Sequence, residues 1–500
     1  MQVGLNSDSN RRATTPISET LDESFTDVPN TDPYKEFQAT LGGSDTAEMD
    51  LNNVDWSFNK ANTKYLTHGL MRYPARMIPQ IPRTLLSYWK ETGTISEGDT
   101  VFDPFSGSGT TAAEARLHGL NAIATDINPF ACTLSRGKAT NVNLDELKGL
   151  ANRCVDKEWR SRERIIEENH EEEKSREDHT TKFGSDIYKK NGNRPGPNNR
   201  PTYIKKGWFP EPQIYKIESM SRLLSELRRE YSHKATRIAR LSLAETAREI
   251  SYQRNREFKR HRIPEADRAS HDPPFTNTFI ENLYENVKRV EAYQQHASPG
   301  STVEVIHGDC RSPENTSSDS VEAAILSPPY GDHSTTVGYG QFSQNPASTA
   351  MPIPEAIMKN VDPSGLGGRD SESQVTMEQV MEWSPILEDT VSEIKQKDGR
   401  NDDVLKFFTD YSETLLTIAD VVKSGQPIAI VVGNRTVSRV PVPLNLITTE
   451  LALEFGLEHN HSFPREIPSK TLPFKNAPEN VPGQSGNLIA DENILLFGAP

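Results

Sequence analysis

Apolar positions recur along this chain with two different periods, and where the period changes, the element changes. Short apolar runs closed by a polar or turn residue stand at Thr100–Asp103, Asn121–Ile127, Val303–Asp309 and Val321–Leu326. Brief runs with little polar alternation predict strands covered on both faces, as in a parallel sheet. Elsewhere apolar residues return at helical spacing. Thr110–His118 reads as a helix that Gly119 terminates. Ile214–Tyr231 carries Ile217, Met220, Leu223, Leu224 and Leu227, and Thr236–Arg256 carries Ile238, Leu241, Leu243, Ala247 and Ile250. Residues 145–178 read as one helix running into the charge block Glu167–Asp178, and Asn191–Pro201 breaks what precedes it.

Two stretches lack either period. Met1 to about Met49 is rich in Ser, Thr, Asp and Asn with hardly an apolar pair. It cannot offset its ordering entropy, so 1–50 is expected to be a disordered tail. Ala347–Gly399 is low in apolar residues and is expected to be a long loop with one short helix near Met377–Trp383. The connection between the second and third strands, about 138 to 302, far exceeds an ordinary one. The expected class is therefore α/β, with one domain formed by 51–138 and 302–500 and a large, mainly helical insertion at 139–301.

Charge changes part of this picture. The chain has 56 Lys+Arg against 71 Asp+Glu, a net charge of −15, which as a sum argues against a nucleic-acid partner. Its distribution argues the other way, because 182–268 holds 21 Lys+Arg and 10 Asp+Glu. That suffices for a phosphate-binding face, though a solvated helical surface would look the same. No run approaches the ~20 apolar residues of a membrane span, and Met1–Asn30 has no apolar core behind a basic start. A cytoplasmic location is expected, with no membrane partner. Cys132, Cys154 and Cys310 lie far apart, so neither a disulfide framework nor a zinc site is indicated and no metal is expected.

Candidate chemistry gathers at strand ends. The first strand runs through Asp103-Pro104-Phe105-Ser106-Gly107-Ser108-Gly109 into the helix opened by Thr110. Gly107 and Gly109 let backbone pass close to a ligand, and the helix start offers unpaired N–H groups. Such turns also simply pack helix against strand. The second strand ends in Asp126, where a carboxylate can accept both hydroxyls of a ribose, and Ile127 behind it could cover an adenine face. The third ends in Asp309, which could accept from an exocyclic adenine amine. Three acidic strand ends on one edge of a parallel sheet favour a nucleoside cofactor over three separate caps. The fourth strand ends in Ser327-Pro328-Pro329-Tyr330. Two prolines force the chain out of the sheet in a rigid turn. The Ser327 hydroxyl and Pro328 carbonyl then act as two acceptors beside a flat Tyr330 ring, which suits a planar base carrying an amino group. Stacking asks only for that ring, not for its hydroxyl.

With these residues on the page, the sequence resembles the S-adenosylmethionine-dependent DNA methyltransferases that modify exocyclic amino groups, specifically the N4-cytosine branch, over most of residues 60–500. The glycine loop looks like that family's cofactor motif. Ser327–Tyr330 is similar to its catalytic motif in the form with Ser, where adenine-N6 relatives usually have Asp. His68–Pro79, which includes Tyr73 and Pro74, resembles the segment closing the methionine end of the cofactor pocket, and Gly331–Phe342 resembles the stretch downstream of the catalytic turn. Val431–Val437, Arg465–Lys470 and Glu492–Phe497 look like the fifth strand, a substrate-side loop and the closing strand. Arg248–Arg262 resembles a helical insertion of some N4-cytosine enzymes.

The resemblance implies a Rossmann-like sheet of seven strands, six parallel and the last antiparallel. It implies S-adenosylmethionine as cofactor and a methyl transfer to N4 of a cytosine flipped out of double-stranded DNA. It also implies a restriction-modification setting in which a cognate endonuclease acts separately. Adenine-N6 in DNA and guanine-N2 in RNA remain the alternatives.

Overall fold

The computed structural model describes residues 50–176, 207–254, 261–313, 316–330, 338–351, 353–397, 399–467 and 491–500, with the short pairs 475–476 and 486–487. The expected tail at 1–50 therefore lies almost wholly outside the described residues. Seven strands form one sheet: β1 Thr100–Asp103, β2 Asn121–Asp126, β3 Val303–His307, β4 Ala323–Leu326, β5 Pro427–Gly433, β6 Glu458–Glu466 and β7 Asp491–Gly498. Their order is β3-β2-β1-β4-β5-β7-β6. Neighbours are parallel from β3 through β5. β7 runs antiparallel to both β5 and β6, so one strand opposes the direction of six, as expected.

The order reverses between β1 and β4, and that reversal positions the site. Connections leave β1 and β4 toward opposite sides, opening a crevice at the carboxyl ends of those two strands. The register Phe102↔Ala324 places the two ends side by side, so Asp103 and Ser327 border the same crevice.

Helices cover both faces, which explains why the central strands read as unbroken apolar runs. In β5 the side chains alternate. Ile428, Ile430 and Val432 pack with Phe407, Phe408, Tyr411 and Ile418 of a helix at Asn401–Val421. Ala429 and Val431 pack with Ile81, Leu85 and Trp89 of a helix at Gln80–Glu91. Each fully buried Ile or Leu contributes roughly 1.5–3 kcal/mol.

The long connection between β2 and β3 is helical: Pro129–Lys138, Leu144–Cys154, Lys157–Arg176, Glu211–Leu227, His233–Ile250 and Phe275–His296. It packs into the body of the protein. His233–Ile250 is buried along nearly its whole length; Asn286 donates to Ser242 at 2.9 Å, and a Cβ on Gly137 would lie 2.4 Å from Leu241 Cδ1. Among the described residues no helix is long and apolar enough to cross a membrane.

Four sequence-based expectations need correction. The single helix at 145–178 is two, because Asp156 accepts the N–H groups of Glu158 and Trp159 and starts a new one. The loop at 347–399 holds helices at Glu355–Ser364, Met377–Trp383 and Pro385–Gln396. The second and third start at small polar residues, a Thr376/Gln379 capping box and a Ser384 cap. Leu387, Val391 and Ile394 bury one narrow stripe that low mean hydropathy conceals. The fifth strand begins at Pro427, and Arg435–Val437 pairs instead with Val440–Val442 through a hairpin turn whose Ser438 and Arg439 have φ of 48° and 65°. The fourth strand is regular only from Ala323, Val321 forming an isolated bridge with Val422.

Candidate active site

A cavity opens over the carboxyl ends of β1, β2 and β4, enclosing about 1120 Å³ including its mouth.

Most of the residues singled out in the sequence border it: Tyr73, Asp103, Pro104, Phe105, Ser106, Gly107, Thr110, Asp126, Ile127, Asp309, Ser327 and Pro329. Pro74, Gly109, Pro328 and Tyr330 do not. Gly109 serves packing. Its φ is 79°, and a Cβ there would stand 2.5 Å from Ser135 Cα on the neighbouring helix. Gly107, at φ 48°, has space around it and is required by conformation alone.

Two carboxylates organise the loop between them. Asp103 is buried and accepts the Phe105 N–H at 3.0 Å. Burial pushes its carboxyl up to about 7, against the pull of the Thr111 hydroxyl and that N–H. Asp126 accepts from Gly107 N and Asn128 N, each at 2.7 Å. Burial raises it to about 6, against the pull of those two bonds. Asp309 differs. Burial works against its ionisation, but Arg311 contacts both oxygens, with Nη2 at 2.6 Å from Oδ2, and holds the carboxyl below its ordinary value. Arg311 also reaches Asp410 at 2.9 Å. Any ligand amine at Asp309 would therefore share that carboxylate with a guanidinium.

Several wall residues carried no signal in the sequence. Asn128 caps Pro129–Lys138 through Phe130 N and donates to the Tyr73 hydroxyl at 3.1 Å and to Ser343 Oγ at 2.9 Å. Tyr339, at the start of the helix Tyr339–Ala350, stacks on Tyr73 with ring centroids 6.1 Å apart and planes 28° apart. Val361, Asp362 and Leu366 close another side, and Asp362 accepts the Gly340 and Gln341 N–H groups at 2.7 and 3.1 Å. Nothing within Gly331–Phe342 singles out Tyr339, and Asp362 lies in a stretch that reads as loop; the helices Tyr339–Ala350 and Glu355–Ser364 bring them here.

Behind the Ser327 turn, the Tyr330 hydroxyl stands 3.3 Å from Ser327 Oγ and donates to Glu492 Oε1 on β7 at 3.1 Å. Arg465 on β6 pairs with Glu492 and donates to the Trp56 carbonyl at 2.9 Å. Arg435 donates to the Tyr330 carbonyl at 2.6 Å. Burial, and then the neighbouring Glu492, hold the Tyr330 phenol well above its ordinary value.

Comparison with known proteins agrees with this geometry. A family profile described as DNA methylase, N6/N4 type, matches residues 13–137. The type II methyltransferase M.MvaI of Kocuria varians is 30% identical over 457 residues, covering 89% of this chain and 94% of that protein. The chain belongs to the type II DNA methyltransferases of the N4/N6 family. Shorter matches join it to the type II methyltransferases M.MjaII of Methanocaldococcus jannaschii, 34% identical over 101 residues (19% of this chain, 18% of that protein), and M.BsoBI of Geobacillus stearothermophilus, 36% over 90 residues (18% and 17%).

The methyl donor of this methyltransferase family is S-adenosylmethionine, a ligand with a ribose diol and cationic sulfonium and ammonium groups. The cavity fits such a group. Asp103 and Asp126 are two carboxylates that burial destabilises and that a cation would relieve. Each Asp126 oxygen holds one backbone N–H and keeps lone-pair capacity for a hydroxyl.

Among the described residues, the cations of this methyltransferase's basic stretch include two kinds; 182–206 and 255–260 lie outside the described residues. Lys216 pairs with Glu163 and Glu167 at 3.2 and 2.7 Å. Arg248 pairs with Glu245 at 2.8 Å. Arg240 is buried against the Ala350 carbonyl at 2.6 Å, and burial lowers it to about 10. These cations hold the insertion together. Arg228, Arg229, Lys234, Arg254 and Arg262 are exposed.

Proposed function

We propose that this enzyme methylates the N4 amino group of cytosine in double-stranded DNA, at a specific site and with base flipping. One observation carries the reading: Ser327, a hydroxyl where a carboxylate could stand, borders the cavity that also holds Asp103 and Asp126. The cofactor supplies an activated methyl group on sulfur. Asp126 receives the ribose hydroxyls, Ile127 covers the adenine, and the Ser106–Thr110 loop with Tyr73 encloses the methionine end.

The chemical difficulty lies in the target amine, whose lone pair is delocalised into the ring. Ser327 Oγ, on the cavity wall, accepts one of its N–H bonds, and the Pro328 carbonyl, outside the wall of the free protein, accepts the other once the base is seated; together they draw the nitrogen toward tetrahedral geometry and aim the lone pair at the methyl. Positioning supplies much of the acceleration. Extrusion of the base costs a few kcal/mol, and stacking on Tyr330 returns ~1–3 kcal/mol. Residues 139–301 form the DNA-binding region, with phosphates drawn to its exposed arginines. A separate endonuclease of the same specificity acts beside the enzyme in the cytoplasm.

Sequencing DNA from cells expressing the protein, with modified-base detection, tests this. N4-methylcytosine within one short recurring sequence is expected. N6-methyladenine there would refute the assignment of the base, and methylated guanine confined to RNA would refute the DNA substrate.

A further inference from the structure

The hydroxyl of Tyr330 is not idle, and its partners impose a direction on Ser327. Glu492, as a carboxylate paired with Arg465, has no proton to give and can only accept. Tyr330 therefore donates to Glu492 Oε1, at 3.1 Å. A phenol has one proton, so its oxygen is left to accept from Ser327, 3.3 Å away. Ser327 in turn spends its own proton on Tyr330, and its lone pairs face the cavity. A serine hydroxyl free to rotate could offer a proton or a lone pair; this one is committed to the second.

We infer that Glu492 is a positioning residue which, through Tyr330, fixes Ser327 as an acceptor toward the target amine. The inference rests on the reading of Ser327 given above. It explains how a neutral serine selects an amino group. A base edge presenting a carbonyl, as thymine and uracil do at the same ring position, would meet lone pairs and be rejected. Arg465 anchors the carboxylate, since it pairs with Glu492 while its own Nε is held by the Trp56 carbonyl at 2.9 Å. The selecting charge thus comes from across the sheet, two strands away from the residue that touches substrate.

Single-turnover methyl transfer by Glu492→Gln, Tyr330→Phe and the double variant tests this, with cofactor affinity, DNA affinity and melting temperature measured on each. Tyr330→Phe leaves the Glu492–Arg465 pair intact, so it remains informative if Glu492→Gln folds poorly. Each single variant should slow the step about 10- to 100-fold, the range for one hydrogen bond to a charged group. Both affinities should stay within about twofold, and Glu492→Asp should recover part of the rate. The double variant should be no slower than the worse single one, because both changes break one chain. A Tyr330→Phe rate within about twofold of the parent, or losses that multiply in the double variant, would overturn the inference. If the parent enzyme forms no N4-methylcytosine, it is the underlying reading of Ser327 that fails.

Discussion

Asp126 accepts the backbone N–H of Gly107 at 2.7 Å, so the carboxylate ending β2 holds the loop that follows β1. One side chain thus shapes the loop and faces the cavity. Asp126→Ala should weaken S-adenosylmethionine binding by ~1.5–3 kcal/mol, the range for hydrogen bonds to a charged group. Asp126→Asn should weaken it less, because the amide oxygen can still accept one of the two backbone bonds. Calorimetry checks both, and unchanged affinity in Asp126→Ala would move the ribose site elsewhere.

Binding should also depend on pH. Burial places Asp103 near 7 and Asp126 near 6, above the ~3.9 of an unfolded aspartate. The free protein therefore holds these protons longer than the unfolded chain does. That contribution to stability is complete below the unfolded value and is lost as pH rises through about 6 and 7. A cationic ligand favours the ionised carboxylates and expels the protons. Affinity should rise from pH 5 to pH 8, with proton release visible when titrations in buffers of different ionisation enthalpy are compared. Equal affinity across that range without release would contradict it.

The sheet and the strand-end residues were legible because buried parallel strands must be apolar and must end in a turn. Asp103, Asp126 and Ser327 follow directly from that syntax. Tyr339 and Asp362 were not legible, since neither Tyr339–Ala350 nor Glu355–Ser364 opens on a side-chain cap and each carries a proline, Pro346 or Pro363, that argues against a helix. Glu492 was read as part of the closing strand, and nothing local tells that β7 inserts beside β5 and brings its carboxylate to Tyr330. The charge excess of 182–268 was legible as a number. Its meaning was not, because Lys216, Arg240 and Arg248 are consumed by internal partners.

The two loop glycines should separate in a thermal denaturation experiment. Gly109→Ala brings a Cβ within 2.5 Å of Ser135 Cα, at a φ of 79°, and should cost ~3 kcal/mol or more through overpacking and strain together. Gly107→Ala meets nothing closer than 3.8 Å and should cost about 1–2 kcal/mol from its positive φ alone. Equal losses would mean that packing against Ser135 is not what fixes Gly109.

DNA affinity should fall steeply with salt, with a logarithmic slope of about −0.9 for each phosphate contact. Arg254, next to Gln253, and Arg262, which bridges to Gln253, are both exposed. Reversing both to Glu should weaken duplex binding and flatten the salt slope, while leaving cofactor affinity unchanged. The matching reversal at Lys216 should instead lower stability, since Glu163 and Glu167 lose their partner. Binding indifferent to salt and to the arginine pair would remove this surface from the DNA interface.

The identity of the methylated base decides the role of Ser327 most directly. Purified enzyme, S-adenosylmethionine with a labelled methyl group and duplex DNA containing its site should yield labelled N4-methylcytosine on mass spectrometry of the digested nucleosides. Tyr330→Ala should lose that product while keeping cofactor affinity. Labelled N6-methyladenine as the sole product would contradict the assignment of Ser327 and Pro328 to a cytosine amine.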